Sequence, residues 1–295
     1  MQPRVAVVIV IWNGRDDTVE CLESFRTDVY PNREIIVVDN GSSDDSVAVL
    51  KASFPEVRIL QTGKNLGFTG GNNVGIRHAI ESGAKYVYLI NNDTLVEPDA
   101  IEKLVEAAEE NPDAGLVAPV IHDFDPPRAI WFAGSIVDLR RGAAWHDNSR
   151  QPTRNEPPYE VPWVTGCAMM LPADLLRKLE GFDDRYYLSW EDVDLSIRVR
   201  NEGRKLLIVP PARIYHKGGQ SGKNLDGIYG YYTVRNSLLL ARKHSGRDFP
   251  RAAFTILSEA LRRSLRAGPH RLRRLRLVWD GLRDHLFHNY GSYKA

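Results

Sequence analysis

The chain has 295 residues, 43% apolar and 26% charged, with a formal net charge of +1. That make-up belongs to an ordinary globular protein and excludes a fibrous, disordered or membrane-embedded one. Its two cysteines, Cys21 and Cys167, are too few for a disulfide framework and lack metal-ligand spacing, so free thiols in a reducing cytosol are expected.

The first apolar run, Val5 to Trp12, is too short for a secretory leader with its cleavage region. It reads as a strand. Further strand-like runs are EIIVVD (34–39), VRILQT (57–62), YVYLI (86–90) and GLVAPVI (115–121). Helical patterns fill the gaps at Thr18 to Thr27, Asp44 to Ser53, Gly71 to Ser82 and Pro98 to Glu110. In the last, Ile101, Leu104, Val105 and Ala108 share one face, with Glu102, Glu106, Glu109 and Glu110 outside. Apolar strands alternating with helices predict an α/β fold with a mostly parallel sheet covered on both sides. Residues 122–160 read as a loop or hairpin insertion. VTGCAMML (164–171) is strand-like, WEDVDLSIRVRNEG (190–203) a helix, and KLLIVPPARIYH (205–216) an extended segment. From Gly227 a helix runs through YYTVRNSLLLARKH, followed by two amphipathic helices split at Gly268-Pro269. The expected division is residues 1–225 for the α/β domain and 226–295 for a helical extension. No window approaches the roughly 20 apolar residues that span a bilayer.

In such sheets, ligands bind outside the carboxyl ends of the strands. That rule puts Trp12-Asn13, Asp39-Asn40 and Asn91-Asn92-Asp93 along one edge. A Walker A loop is absent, since both Gly-Lys pairs, Gly63-Lys64 and Gly222-Lys223, are followed by Asn. A dinucleotide fingerprint is absent too, because IWNGRDD follows the first strand where G-x-G-x-x-G is needed. The glycines of NLGFTGGNNVG (65–75) allow close backbone approach, and the helix start there suits an anion or a ribose. Asp39 can be a capping carboxylate of the turn GSSDDS or a hydrogen-bond acceptor for a pyrimidine N3–H. Trp12 offers a face for stacking a base.

Six segments in this order, IVIWNG, VVDNGSSDDS, NLGFTGGNNVGI, LINNDTLVEPD, GFDDRYYLSWEDVDLSIRV and IYHKGG, resemble the inverting family 2 glycosyltransferases of the GT-A fold. The resemblance is strongest to the rhamnosyltransferase-like branch that builds bacterial cell-surface polysaccharides, and it covers roughly residues 4 to 240. It implies a GT-A (Rossmann-like) sheet with a C-terminal helical extension. It also implies a dTDP- or UDP-linked sugar donor, dTDP-L-rhamnose first, and a saccharide or lipid-linked acceptor. By position, Asp39 matches the carboxylate that holds uracil or thymine, and Trp12, with Asn13 beside it, the stacking aromatic. Asn65, Gly67 and Asn73 fall in the loop lining the nucleotide. Asn91-Asn92-Asp93 matches the D-x-D motif, with Asn91 in place of its first Asp. Its last carboxylate, Asp93, is implied to bind Mg²⁺ or Mn²⁺ bridging the donor diphosphate, with His216 as a further ligand. Glu191 and Asp192 match the acidic pair that supplies the catalytic base, assigned to Asp192, with Glu191 the alternative and otherwise an acceptor contact. An acidic helix start capped by Ser189 is the purely structural reading of the pair. Trp163, Gly166, Cys167 and Trp190 line the sugar and acceptor side.

Two other classes compete. A nucleotidyltransferase needs a glycine- and Lys/Arg-rich loop after the first strand, and IWNGRDD has one arginine and two aspartates there. A non-catalytic nucleotide-sugar-binding or scaffold protein has no need of Asp93, Asp192 and His216 together. No nucleic-acid partner is expected.

The charge is uneven. Residues 242–285 hold 12 Lys/Arg against 4 Asp/Glu, a net of +8, and residues 1–241 carry −8. Leu272, Leu275, Trp279, Leu282 and Leu286 recur at helical spacing among arginines, as do Phe254, Leu257, Leu261 and Leu265. A basic amphipathic tail predicts docking on an anionic membrane surface, with packing on the parent domain or a homodimer as the alternatives. The expected location is the cytoplasm, peripheral at the inner face of the cell membrane.

Overall fold

The computed structural model describes residues 2–125, 129–218, 228–266 and 270–294. β1 (Val5–Ile11) is apolar throughout and buried at all but one position, which suits a strand covered on both faces. β2 (Arg33–Asp39) and β4 (Tyr86–Asn91) flank it in parallel, and β3 (Arg58–Gln61) extends the sheet beyond β2. The intervening helices are α1 (Arg15–Phe25), α2 (Ser46–Ser53) and α3 (Gly67–Glu81). A Cβ at Gly75 would lie 2.2 Å from Val8 Cγ1, and one at Gly71 2.7 Å from Val10 Cγ1. The glycines after the third strand therefore let α3 press onto β1.

The parallel run stops at β4. Next to it comes β11 (Ala168–Pro172), antiparallel to both β4 and β6 (Ala114–Asp123). β12 (Lys205–His216) then pairs in parallel with β6, and β10 (Tyr159–Glu160) closes that edge. The sheet is thus mixed, in the order β10-β12-β6-β11-β4-β1-β2-β3. β12 tolerates Pro210 and Pro211 because its register against β6 shifts between Val209 and Arg213. α4 (Ala100–Glu110) packs over β6 and β12, and β5 (Thr94–Val96) pairs antiparallel with the end of β12. The 122–160 insertion contains β7 (Ile130–Phe132), paired with β6, and a separate hairpin of β8 (Ser135–Asp138) and β9 (Ala143–His146). Both cysteines are free and buried, and burial pushes the Cys21 thiol up to about 12.

The remaining helices are α5 (Ala173–Leu179), α6 (Glu191–Asn201), α7 (Ile228–His244), α8 (Phe249–Leu265) and α9 (Arg271–Leu286). The expected domain boundary at 225/226 and the Gly268-Pro269 break lie outside the described residues. Leu239 and Leu240 of α7 belong to the main core, while Val234, Leu238 and Ala241 pack with Ala252 and Ile256 of α8. α9 lies against α7 through Leu277 and Gly281.

α7 also holds the turn that leads into α6. Tyr187, Ser189 and Trp190 all have positive φ, at 64°, 70° and 72°, a conformation that costs of order 1 kcal/mol or more for each non-glycine residue. The fully buried Arg235 donates to the carbonyls of Tyr186 at 2.8 Å and Arg185 at 3.2 Å. Asn236 Nδ2 lies within donating distance of the carbonyls of Tyr186, Leu188 and Ser189 at 2.9, 2.7 and 2.8 Å. Below them Asp194 on α6 receives Arg198, Lys243 and His244 at 2.8, 2.5 and 2.8 Å. Burial opposes its charge, but these donors hold its carboxyl well below the usual range.

Removing the guanidinium takes its donors from the carbonyls of Arg185 and Gly291 and leaves that of Tyr186 to Asn236 and the Leu188 N–H, with a cavity in the fully buried site. Arg235→Ala is expected to lose about 3 kcal/mol or more of stability, read as a fall in denaturation midpoint. A wild-type midpoint would show that these bonds do not hold the turn.

Candidate active site

The strand registers bring the predicted edge together. Ile11 faces Asp39, Asp39 faces Gln61, and Val10 faces Asn91. Trp12-Asn13, Asp39 and Asn91–Asp93 therefore emerge side by side. Trp12 is 50% exposed, unusual for so large an apolar ring. Asn13, at φ 53°, accepts the Ser43 N–H at 2.7 Å and joins the β1 and β2 loops. Asp39 is buried, and its Oδ1 accepts the Ser42 N–H at 3.1 Å. Both sequence readings of Asp39 are compatible with this geometry, since its second oxygen takes no part in the turn.

The expected nucleotide loop is tied into the fold. Asn65 Oδ1 accepts the Gly67 N–H at 2.8 Å and the Tyr187 hydroxyl at 3.2 Å. Gly67 has φ 76°, and a Cβ there would lie 2.5 Å from the Tyr187 ring, so this loop abuts the strained turn. Asn73 points away from the strand ends. Its amide donates to Phe182 O at 2.9 Å and Asp184 Oδ1 at 2.7 Å, and accepts the Phe182 N–H at 2.9 Å. Asn92 turns toward α1, where its Nδ2 donates to Thr18 Oγ1 at 3.0 Å. Asn91 N–H donates to Cys167 O at 2.9 Å, which fastens the 163–167 segment to the end of β4.

Asp93 and His216 meet where β5 and β12 pair, with Asp93 Oδ1 3.2 Å from His216 Nε2. Burial disfavours a charged imidazole, yet the neighbouring Cys167 sulfur and Asp93 carboxylate raise His216 to about 10. Its Nδ1 is buried with no hydrogen-bond partner among the described residues. A carboxylate oxygen and, once Nε2 gives up its proton to the incoming cation, an imidazole nitrogen are suitable donors for Mn²⁺ or Mg²⁺. No group of three or more His, Cys, Asp and Glu is placed to hold a metal among the described residues. Asp93 and His216 are two such groups side by side.

Glu191 and Asp192 open α6, but Ser189 does not cap it. The N-cap is Trp190, without a side-chain cap bond. Asp192 Oδ2 accepts the Gly166 N–H at 2.9 Å, and Oδ1 accepts the Val193 N–H at 2.8 Å. Burial raises its pKa, and the backbone N–H bonds oppose that rise. Glu191 turns inward, and its Oε2 is buried without a partner. Burial and the Asp192 charge raise it well above the ordinary value. Trp163 is buried, with Nε1 donating to Ile136 O at 3.0 Å, and so supports the β8–β9 hairpin. Two residues absent from the predicted set, Trp131 and His146, line the same region. The only sequence signal for them was the aromatic richness of the insertion.

The mixed sheet carries an exposed aromatic, a buried carboxylate, an Asp–His pair and an acidic helix start at its strand ends, and its fold is that of the GT-A glycosyltransferases. Residues 6–180 match the family model described as Glycosyl transferase family 2, and the chain belongs to that family. Among curated relatives, it is 28% identical to the N-acetylglucosaminyl-diphospho-decaprenol L-rhamnosyltransferase of Mycobacterium tuberculosis, over 72% of this chain and 76% of the relative. It is 22% identical to the dTDP-rhamnosyl transferase RfbF of Shigella flexneri, over 83% and 82%. Among solved structures, GalNAc-T7 with UDP, GalNAc and Mn²⁺ superposes with a TM-score of 0.67 at 15% identity, covering 98% of this chain and 57% of that one. The mannosyltransferase PcManGT of Pyrobaculum calidifontis, in complex with GDP-Man and Mn²⁺, gives 0.59 at 17% identity, covering 98% and 88%. These two neighbours establish the fold.

A glutamic acid kept protonated in the fold but ionised when unfolded costs stability as pH rises above its unfolded value near 4.5. Glu191→Gln is therefore expected to be more stable than wild type at pH 7, with the gain vanishing below about pH 4. Denaturant midpoints across this range test it. A gain of the same size at both ends would mean that Glu191 is ionised in the fold.

Proposed function

We propose that the protein is an inverting, metal-dependent glycosyltransferase that moves L-rhamnose from dTDP-rhamnose to a lipid-linked saccharide. The observation that carries this reading is the meeting of Asp93, His216 and Asp192 around the 163–167 segment. Gly166 N–H holds Asp192, and Cys167 O anchors the strand that delivers Asp93. The named substrates of the two rhamnosyltransferase relatives support the donor sugar and the lipid carrier.

The chain's own groups divide the work. Trp12 stacks on the thymine, and Asp39 accepts from its N3–H. Asp93 and His216 would hold Mn²⁺ or Mg²⁺, which would supply Lewis-acid stabilisation for the charge growing on the departing diphosphate. The acceptor hydroxyl oxygen forms a bond to the anomeric carbon as the bond from that carbon to the diphosphate oxygen breaks. Asp192 takes the hydroxyl proton. Two adjacent carboxyls with different environments suit this division. Backbone N–H donors favour an ionised Asp192 as base, whereas the buried, inward-turned Glu191 stays protonated.

Turnover with dTDP-rhamnose and a short-chain polyprenyl-diphospho-N-acetylglucosamine should release dTDP. Asp192→Asn is expected to cut kcat by about 10² or more with donor affinity retained. Abolished turnover in Glu191→Gln beside near-normal Asp192→Asn would reverse the two roles. Asp93→Ala should stay folded and lose Mn²⁺-dependent affinity for dTDP in calorimetry. Unchanged metal dependence would remove Asp93 from the site.

The tail supports a place for the reaction at a lipid surface. No helix is long and apolar enough to cross a membrane among the described residues. α9 packs inward with Leu277, Asp280, Gly281 and Asp284, and turns Leu272, Trp279 and Leu286 outward at 75%, 62% and 60% exposure. Phe254, Leu261 and Leu265 of α8 are exposed as well. Exposed arginines flank both rows, including Arg262, Arg263, Arg271, Arg273, Arg274 and Arg276. Each basic residue near an anionic leaflet contributes about 1 kcal/mol. The protein is expected to co-sediment with phosphatidylglycerol vesicles, less so at high salt, and a Leu272→Ser/Trp279→Ser/Leu286→Ser variant should not. A self-associating protein that ignores such vesicles, and that the same substitutions render monomeric, would make this face a dimer contact.

A further inference from the structure

The 122–160 insertion builds a second wall of the cleft. His146, the last residue of β9, has its ring 4.8 Å from that of Trp131, 5.0 Å from Phe132 and 5.7 Å from Trp163. The hairpin is anchored beneath it, for Ser135 Oγ donates to Trp163 O at 2.6 Å and the Asp147 N–H to Gly134 O at 2.9 Å. On one side Trp131 meets the His216 ring at 4.7 Å. On the other, His146 meets Trp163, which opens the segment whose Gly166 N–H holds Asp192. The wall therefore links the Asp93–His216 pair to the segment that carries the proposed base.

His146 adds an imidazole to this aromatic wall, and its tautomer decides what the wall can bind. Its Nδ1 lies 3.2 Å from Trp131 O, and a carbonyl can only accept, so the proton is on Nδ1. Among the described residues no hydrogen bond is made to Nε2. Burial among apolar rings lowers the affinity of the imidazole for a second proton, against the pull of the Trp131 carbonyl and of Asp192. The ring is then neutral, with a bare Nε2 on the wall that leads from Trp131 to the segment holding Asp192.

We infer that Trp131 and His146 form the acceptor-sugar wall, Trp131 lying against a pyranose ring and His146 Nε2 accepting from the hydroxyl next to the one that Asp192 deprotonates. A pyranose with two neighbouring hydroxyls meets both groups, one as base and one as hydrogen-bond acceptor. The inference rests on the glycosyl-transfer reading and on Asp192 as the base.

Two measurements separate its failure from failure of that reading. ¹⁵N NMR of imidazole-labelled protein, assigned by the signal lost in His146→Phe, is independent of any substrate. It should show a neutral Nδ1–H ring near neutral pH, and an imidazolium or an Nε2–H tautomer would overturn the inference. Kinetics with dTDP-rhamnose and short-chain polyprenyl-diphospho-N-acetylglucosamine then test the contact. In His146→Gln the amide oxygen reaches the place of Nε2, and acceptor KM should stay near wild type. His146→Asn, which replaces only Nδ1, and His146→Phe should each raise acceptor KM about tenfold, with donor KM unchanged. Equal acceptor KM in all three variants, or an effect on donor KM instead, would overturn it. If this substrate pair gives no turnover in wild type, the substrate reading fails and the tautomer alone decides for or against the wall.

Discussion

The candidate site depends on one constraint, the grip of α7 on the turn before α6. Tyr187, Ser189 and Trp190 are held at positive φ, and the one short-range bond before Ser189, from the Leu188 N–H to Tyr186 O, closes only part of the turn. Arg235 and Asn236 supply the compensation by donating to the carbonyls this conformation leaves exposed in the interior. The sharp turn delivers Trp190 as a left-handed N-cap and starts α6 where Asp192 can reach the Gly166 N–H. Asp194, one turn in, is locked from the other side by Lys243 and His244 of the same α7. The helical extension is thus part of the catalytic domain's mechanics at its first helix, and an appendage only beyond it.

The adjacent carboxyls show how little sequence separation says about electrostatics. Successive residues on a helix point about 100° apart. Glu191 therefore enters the protein, where its oxygen finds no donor, while Asp192 stays at the cleft with two backbone N–H groups. The Asp93–His216 pair is assembled in the opposite way, from positions far apart in the chain that the β5–β12 pairing brings face to face. One pole of the site is thus set by helix geometry and the other by sheet register.

Polar side chains near the strand ends do two kinds of work. Asn13, Asn65, Asn73 and Asn92 spend their amides on loop-to-loop bonds. Trp12 and one oxygen of Asp39 remain uncommitted. A loop that approaches a ligand must itself be rigid, and short amide side chains that mimic backbone bonding provide that rigidity.

Periodicity alone determined the order of β1 to β4 with their helices, because buried parallel strands are apolar on both faces and amphipathic helices are apolar on one. It also placed Asp39 and Asn91–Asp93 at the carboxyl edge, since chain direction fixes which end of a parallel strand that is. The order of motifs identified the family and singled out Asp192 and His216. Only the tertiary structure decided that β11 enters antiparallel between β4 and β6, because strand pairing across a long insertion is a non-local choice that no local pattern records. It decided likewise that Asn73 faces Phe182 and Asp184, and that Trp131 and His146 join the cleft. In the tail, periodicity found a stripe of leucines, but the direction it faces depended on which side of α9 could meet Tyr231 and Val234 of α7. The side with Gly281 and the carboxylates of Asp280 and Asp284 fits those tyrosine-rich neighbours, so Leu272, Trp279 and Leu286 are left facing outward while Leu282 packs on the α7–α8 cluster.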